Sequence, residues 1–289
     1  MRIQSNGRVL VTGGEGRLGA VVVADLLAHG YQVVSVDQER RFVGNQQFLR
    51  ADLSDHGQAM SMFMGVEDRY NHIDALVHLA AVPAPGIVPN SATFRNNMLT
   101  TYNVFTAALT AGVKNIVWAS SETVLGLPFD EAPPYVPLDE DYRVRPNSTY
   151  SMVKAMEEEF AFHLCRQDPE LKMYGMRFSN VMLPDDYARF PSFDVDPMLR
   201  KWNLWSYIDA RDGAQACRKA LELDAAGFEV FIIANADTVM QRDSSALARQ
   251  LWPEVEFRKE LGIHESLMST AKATRVLGYE PQFSWRNEL

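Results

Sequence analysis

Tyr150-Ser151-Met152-Val153-Lys154 sets a phenol and an ammonium four positions apart, and on a helix that spacing puts both on one face, one turn apart. A cation beside a phenol favours the phenolate. Lys154 is therefore expected to lower the Tyr150 pKa toward a working pH and let the phenol oxygen exchange a proton with a substrate hydroxyl. Such a pair also arises by chance on solvated helix faces, so a third group matters. Trp118-Ala119-Ser120-Ser121-Glu122-Thr123-Val124 leaves the C-terminal end of an expected strand, the end at which parallel sheets bind ligands. Ser121 is assigned as donor to the reacting oxygen and Ser120 as a turn hydrogen bond. His78, ending the apolar run Val77-His78-Leu79, is given a structural role, because a lone histidine on such a strand more often bonds within the core.

A proton shuttle at a hydroxyl-bearing carbon is most useful beside a hydride acceptor, and the N-terminal segment offers a place for one. Thr12-Gly13-Gly14-Glu15-Gly16-Arg17-Leu18-Gly19 is a glycine-rich turn between a strand and a helix. Glycines permit the tight turn and let the backbone approach a pyrophosphate at the helix N-terminus. Such turns also serve only to pack a helix on a strand. The next strand ends in Asp37, roughly 20 residues beyond the turn, where a carboxylate can accept from both hydroxyls of an adenosine ribose. A 2′-phosphate would meet like charge there, which favours NAD over NADP, although Arg40 and Arg41 follow closely. The alternative for Asp37 is a turn cap.

The elements that must position these groups alternate along the chain. Strand-like runs at Val9–Thr12, Gln32–Val36, near Phe48, Ile73–Leu79, Asn115–Ala119 and Lys172–Arg177 are separated by helical stretches at Arg17–His29, Gln58–Phe63, Asn96–Ala111 and Tyr150–Arg166. That rhythm predicts an α/β fold with a doubly wound parallel (Rossmann) sheet and a small C-terminal substrate-binding subdomain. Residues 1–178 are assigned to the dinucleotide-binding domain and 179–289 mostly to the subdomain, with 206–235 returning to the core. Two proline-rich segments, Leu127–Ser148 and Met182–Trp205, break the rhythm and read either as covers for a site or as surface excursions.

Composition narrows the class. The 289 residues carry a formal net charge of -9, with a pI near 5.2, which disfavours gripping a nucleic-acid backbone. No apolar run approaches bilayer-spanning length. No long apolar stretch precedes the first strand, and Cys165 and Cys217 have no metal-ligand spacing. Reduced buried thiols, a cytoplasmic location and no metal are expected.

In this order the motifs resemble the extended short-chain dehydrogenase/reductase family, also called the NAD-dependent epimerase/dehydratase family. The resemblance implies cofactor contacts at Gly13, Gly16, Arg17, Leu18 and Gly19, at the ribose acid Asp37, and at the adenine-contacting pair Asp52 and Leu53. It adds Leu79, Ala80 and Ala81 alongside the cofactor, with Tyr150 and Lys154 at the nicotinamide end. It makes Ser121, Tyr150 and Lys154 catalytic and gives Asn97 a proton-relay water. Trp205-Ser206-Tyr207-Ile208-Asp209 and the stretch from Lys272 to Pro281 resemble late family landmarks. Glu15, Arg17 and Leu125 depart from the usual pattern. The chain is short for a member enclosing a nucleotide-sugar, so a smaller substrate is expected.

Arg177-Phe178-Ser179-Asn180 with Arg189 is similar to the uronate dehydrogenase branch. That makes Asn180 and Arg189 substrate contacts, Arg189 clasping a carboxylate; the alternative is an exposed arginine paired with Asp185 or Asp186. The implied activity is NAD-dependent oxidation of a hydroxyl on a small sugar or sugar acid. An NAD-retaining nucleotide-sugar epimerase or dehydratase is the first alternative. A non-catalytic dinucleotide sensor is the second, disfavoured because Tyr150 and Lys154 are both present. Family members often dimerise through the two helices Asn96–Ala111 and Tyr150–Arg166, and Val104, Phe105 and Ala108 suit either that contact or the core.

Overall fold

Val9 and Val11 face one side of the first strand and Leu10 the other, and all three are fully buried in two different apolar clusters. A strand covered on both faces belongs inside a sheet layered by helices. The computed structural model, which describes the chain apart from residues 1, 2, 4, 5, 42–46, 67, 68, 130 and 289, has that architecture. Strands β1 (Arg8–Thr12), β2 (Gln32–Asp37), β3 (Gln47–Arg50), β4 (Ala75–His78), β5 (Asn115–Ser121), β7 (Lys172–Phe178) and β10 (Gly227–Ile233) form one seven-stranded sheet in the order β10-β7-β5-β4-β1-β2-β3. Every pairing in it is parallel. After β3 the chain returns across the sheet to lay β4 on the other side of β1, so the strand order reverses there, at the end where doubly wound sheets take ligands.

Helices α1 (Arg17–Ala28), α6 (Ala210–Glu222) and α8 (Ala271–Leu277) cover one face. Helices α2 (His56–Met64), α3 (Asn90–Thr110) and α4 (Thr149–Gln167) cover the other. Val104, Phe105 and Ala108 are fully buried against the sheet. They are core residues, not the dimer contact that was the other expectation for them. The apolar side chains that α3 and α4 leave exposed are Phe94, Leu99, Tyr102, Met152, Met156 and Phe162. Cys165 and Cys217 are buried free thiols. Among the described residues no helix is long and apolar enough to cross a membrane.

The two proline-rich segments are not surface excursions. Leu127, Phe129, Tyr135, Val136, Leu138 and Tyr142 from the first join Met182, Tyr187, Phe190, Leu204 and Trp205 from the second in a separate apolar cluster. Two short parallel pairs stitch this lobe together: β6 (Tyr135–Val136) with β11 (Glu256–Phe257), and β8 (Val181–Met182) with β9 (Ile208–Asp209). The remaining helices are α5 (Phe190–Phe193) and α7 (Ser244–Leu251). α3 begins at Asn90, six residues before the expected Asn96; its first turns carry the exposed Phe94 and polar neighbours, so no apolar stripe marks them. α8, to which the sequence reading assigns no element, is seven residues ended by Gly278 at φ 67°.

The glycine turn is packed tightly enough to test. A Cβ on Gly19 would lie 2.0 Å from the carbonyl oxygen of Gly13, so Gly19→Ala must push α1 away from the turn. Overpacking of this kind costs about 1–3 kcal/mol, and the urea midpoint of the variant is expected to fall accordingly. An unchanged midpoint would show that the turn yields freely.

Candidate active site

The cofactor end is built around β1. The Gly13 amide donates to the Val36 carbonyl (2.8 Å) and the Gly16 amide to the Gly13 carbonyl (3.0 Å), which closes the turn. Gly13 sits at φ 67°, and a Cβ there would meet the backbone nitrogen of Ala80 at 2.7 Å; only glycine lets the loop after β4 come this close. No side chain caps α1 at Gly16, so the amides of Arg17, Leu18 and Gly19 lack helical acceptors and point out of the helix end, where a phosphate is stabilised. Asp37 closes β2 beside this turn, with one oxygen accepting from the Glu15 amide (3.1 Å) and the other from the Gln38 amide (2.8 Å). Its turn-capping role is real, and it leaves lone pairs for a ribose. These residues fit a dinucleotide: an open helix end, a glycine floor and a carboxylate at the second strand.

Glu15 is buried rather than exposed, accepting from the Arg41 amide at 2.7 Å. Arg17 reaches across to Asp186. Asp186 is thus bound to the glycine turn and not to Arg189, which corrects one alternative raised for that arginine. Asp52 accepts from the Ser54 amide (3.0 Å) and hydroxyl (2.7 Å). Buried Leu53 is held through its carbonyl by Asn103 Nδ2 (3.1 Å). Leu79 and Ala80 donate their amides to Thr12 Oγ1 at 3.1 and 3.3 Å. The Asn97 amide both donates to and accepts from the Val82 backbone, at 3.1 and 2.8 Å. It brackets the loop after Ala81.

The chemical groups stand at the ends of β5 and α4. Ser148 caps α4 in a reciprocal box with Ser151, the two backbone amides bonding the opposite hydroxyls at 2.9 and 3.1 Å. This fixes the first turn, which carries Tyr150, and sets Lys154 one turn on. Tyr150, Lys154 and Ser121 are all buried. Lys154 Nζ lies 6.0 Å from the Tyr150 ring centre, and it donates to the Ala119 carbonyl at 2.7 Å and to Glu157 Oε2 at 2.9 Å. Ser121 Oγ accepts from the Thr123 amide (3.2 Å) and hydroxyl (3.0 Å), which leaves its own proton available, and its nearness draws the Tyr150 phenol down.

The electrostatics correct the simple expectation for the phenol. Burial holds Tyr150 above its ordinary value, although Lys154 and Ser121 pull it down; Glu157 and Glu122 push it up. Lys154 would be lowered by burial, but Glu157 and Tyr150 raise it, so it stays an ammonium. The lysine's charge is shared between phenol and carboxylate, and the phenol receives only part of it. Ser120 is corrected as well. Its hydroxyl donates to Glu158 Oε1 at 2.6 Å, while Arg177 grips the same carboxylate through Nε (2.9 Å) and a terminal nitrogen (2.8 Å). Ser120, Glu158 and Arg177 brace α4 against β5 and β7.

On the lobe side, the structure brings in residues that sequence reading passed over. Glu122, next to Ser121, is buried and accepts from Asn203 Nδ2 at 3.1 Å, with the Asn180 backbone close enough to draw its carboxyl down. Burial pushes its carboxyl up to about 7 against these bonds and the charge of Arg200. Arg200 is itself pushed down to about 10 by burial and the nearby Arg189, with Glu122 opposing. Asn180 thus joins the site through its backbone. Arg189 ends a short turn (Pro184–Arg189), is exposed, and makes no ion pair among the described residues. Only the adjacency of Glu122 to Ser121 was a sequence signal; Arg200 and Asn203 sit in a segment without periodicity.

The sequence profile of the NAD dependent epimerase/dehydratase family matches residues 9–234. The UDP-glucose 4-epimerase of Bacillus subtilis is 30% identical over 216 residues, 69% of this chain and 59% of that protein. A UDP-glucose 4-epimerase of Cyamopsis tetragonoloba is 28% identical over 61% of this chain, which spans 52% of that relative. Solved structures with the same fold include UDP-glucose 4-epimerase of Thermotoga maritima with UDP-glucose, at TM-score 0.71 and 22% identity, covering 96% of this chain and 94% of that one. Glucuronic acid dehydrogenase of Chromohalobacter salexigens aligns at TM-score 0.66 and 21% identity, over 98% and 88% of the two chains. With the glycine turn, the strand-end loops and the Ser121–Tyr150–Lys154 group all inside the matched stretch, the chain belongs to the NAD-dependent epimerase/dehydratase family.

Proposed function

We propose that this family member is an NAD-dependent dehydrogenase that oxidises a hydroxyl of a sugar or sugar acid. The observation that carries the reading is the convergence of Ser121, Tyr150 and Lys154 in a buried site at the C-terminal end of β5. NAD, when bound across the glycine turn, supplies the hydride acceptor. Ser121 donates to the reacting oxygen, and the Tyr150 oxygen takes the hydroxyl proton. To accept that proton the Tyr150 oxygen must already be a phenolate, and Lys154 stabilises it in that form before the transfer, which turns it back into the neutral phenol. Asp37 favours NAD over NADP. Asn97 holds the loop after β4 and, on the family pattern, a relay water.

The substrate side is the second apolar lobe and its polar rim. Glu122, Asn203 and Arg200 connect Ser121 to this lobe, and Arg189, without an ion pair among the described residues, offers its guanidinium for a carboxylate. The exposed apolar side chains of α3 and α4 support pairing of two copies through these helices. A second reading, an NAD-retaining epimerase or dehydratase acting on a nucleotide-sugar, is favoured by the 30% identity to the Bacillus subtilis UDP-glucose 4-epimerase. It uses the same three residues. Purified protein incubated with sugar acids, neutral sugars and nucleotide-sugars separates the two: net formation of reduced nicotinamide supports the dehydrogenase, whereas tightly retained NAD with no net reduction supports the epimerase.

Two variants test the assignment of roles. Tyr150→Phe is expected to lower kcat by about 10²–10⁴-fold, the usual worth of a positioned acid–base group, while NAD affinity by calorimetry changes little. Turnover at the wild-type rate would remove Tyr150 from the chemistry. Arg189→Ala should raise KM for a sugar acid about tenfold or more and leave a neutral sugar unaffected, since a charged hydrogen bond contributes about 1.5–3 kcal/mol. Equal effects on both would show that Arg189 does not read a carboxylate.

A further inference from the structure

Lys154 ends a chain of hydrogen bonds through buried side chains whose proton directions follow from the Glu157 carboxylate at its end, which can only accept. Thr12, the last residue of β1, accepts through Oγ1 from the amides of Leu79 (3.1 Å) and Ala80 (3.3 Å). The Leu79 amide is shared with the Thr12 carbonyl at 3.1 Å; with Thr101 giving its proton to Glu157, Thr101 accepts from His78 Nε2, and the Thr12 hydroxyl is left to donate to His78 Nδ1 at 2.7 Å. His78 is fully buried and pushed down to about 3 by burial and by the charge of Lys154, so its ring is neutral. With Nδ1 accepting, the proton sits on Nε2 and is donated to Thr101 Oγ1 at 3.2 Å. Thr101 in turn donates to Glu157 Oε1 at 3.0 Å. Glu157 is fully buried and takes Lys154 Nζ on its other oxygen at 2.9 Å.

We propose that Glu157 is a positioning residue for Lys154, held as an acceptor by the polarised chain Thr12–His78–Thr101, so that the acid–base lysine is tied to the glycine turn and the loop after β4. The proposal deepens the reading of Tyr150 and Lys154 as an acid–base pair and rests on it. It gives His78 a part in the site, where sequence reading gave it a structural one. Thr12 stands immediately before Gly13, and Leu79 and Ala80 form the floor that Gly13 packs upon. A displacement of that floor therefore reorients Thr12 and is passed, bond by bond, to the ammonium beside Tyr150. The chain ends in amides and its side chains Thr12, His78, Thr101, Glu157 and Lys154 are buried, which makes it a brace rather than a conduit for protons. Other titratable groups facing Tyr150 and Lys154 are Glu158 on α4 and Glu122 on the turn after β5.

The test needs neither cofactor nor substrate. The Tyr150 phenol is titrated by NMR in ring-labelled full-length protein, its resonance identified by its loss in Tyr150→Phe. Glu157 raises the phenol, so Glu157→Gln leaves the whole Lys154 charge to it, and the Tyr150 midpoint should fall by on the order of one pH unit. Thr101→Val keeps the ion pair and removes only the hydroxyl donor to Glu157; the carboxylate then draws more of the Lys154 charge, and the midpoint should rise, by less than Glu157→Gln lowers it. Nitrogen shifts of His78 should report the proton on Nε2 in the wild type. A folded Glu157→Gln protein whose midpoint is not below the wild type overturns the proposal, as does a His78 proton on Nδ1. Should Glu157→Gln not fold, a wild-type midpoint in Thr101→Val overturns it equally. Because the titration requires no turnover, its failure is separate from failure of the proposed activity, which the Tyr150→Phe kinetics decide.

Discussion

A buried ammonium is the constraint around which this molecule is arranged. Lys154 is 3% exposed and its partner Glu157 is fully buried, and a charge removed from water is tolerated only when it is paired and hydrogen-bonded. The Ala119 carbonyl and Glu157 supply that pairing. Each comes from an element whose place is decided elsewhere: Ala119 from the middle of the sheet, Glu157 from α4 one turn beyond Lys154 and anchored through Thr101 to α3. The ammonium must therefore lie at the end of β5, one turn from Tyr150. Moving it would strand a carboxylate in the core.

The same ion pair sets the character of the phenol. A lysine with no other partner would give Tyr150 its full attraction, whereas here Glu157 takes a share and burial adds its own penalty, so the phenol rests above its ordinary value. A positive charge brought close to the phenol would shift that balance toward the phenolate. The lobe meets this site through two links, Glu122 to Asn203 and Arg17 to Asp186, which join the segment 182–205 to the turn after β5 and to the glycine turn.

Much of this was legible in the residues. The alternation of β-branched runs with helical stretches predicts the parallel sheet, because strands buried on both faces have to be apolar throughout. The glycine turn, Asp37, Ser121, Tyr150 and Lys154 are local signals whose partners lie within a few residues or at a standard offset. What the sequence hides are the contacts that only the fold creates. Glu157 reads as one more acid in the run Glu157-Glu158-Glu159, yet the first two are buried and the third is exposed, each with a different role. Ser120 reads as a turn residue because its partner Glu158 lies 38 positions away. The segments Leu127–Ser148 and Met182–Trp205 read as loops because their apolar residues follow no helical or strand period; they are ordered by packing on one another. The depression expected for the Tyr150 phenol was argued from one neighbour, and three-dimensional packing supplied an opposing carboxylate.

The measurement that bears most directly on this account is the titration of the Tyr150 phenol in Lys154→Met protein, with folding verified by circular dichroism and thermal unfolding. If the ammonium holds the phenolate down against burial and the nearby carboxylates, its loss moves the Tyr150 midpoint upward and abolishes NAD-linked turnover together. A folded variant in which the midpoint stays where it is in the wild type, or falls, would contradict the claim that Lys154 governs the acidity of this site.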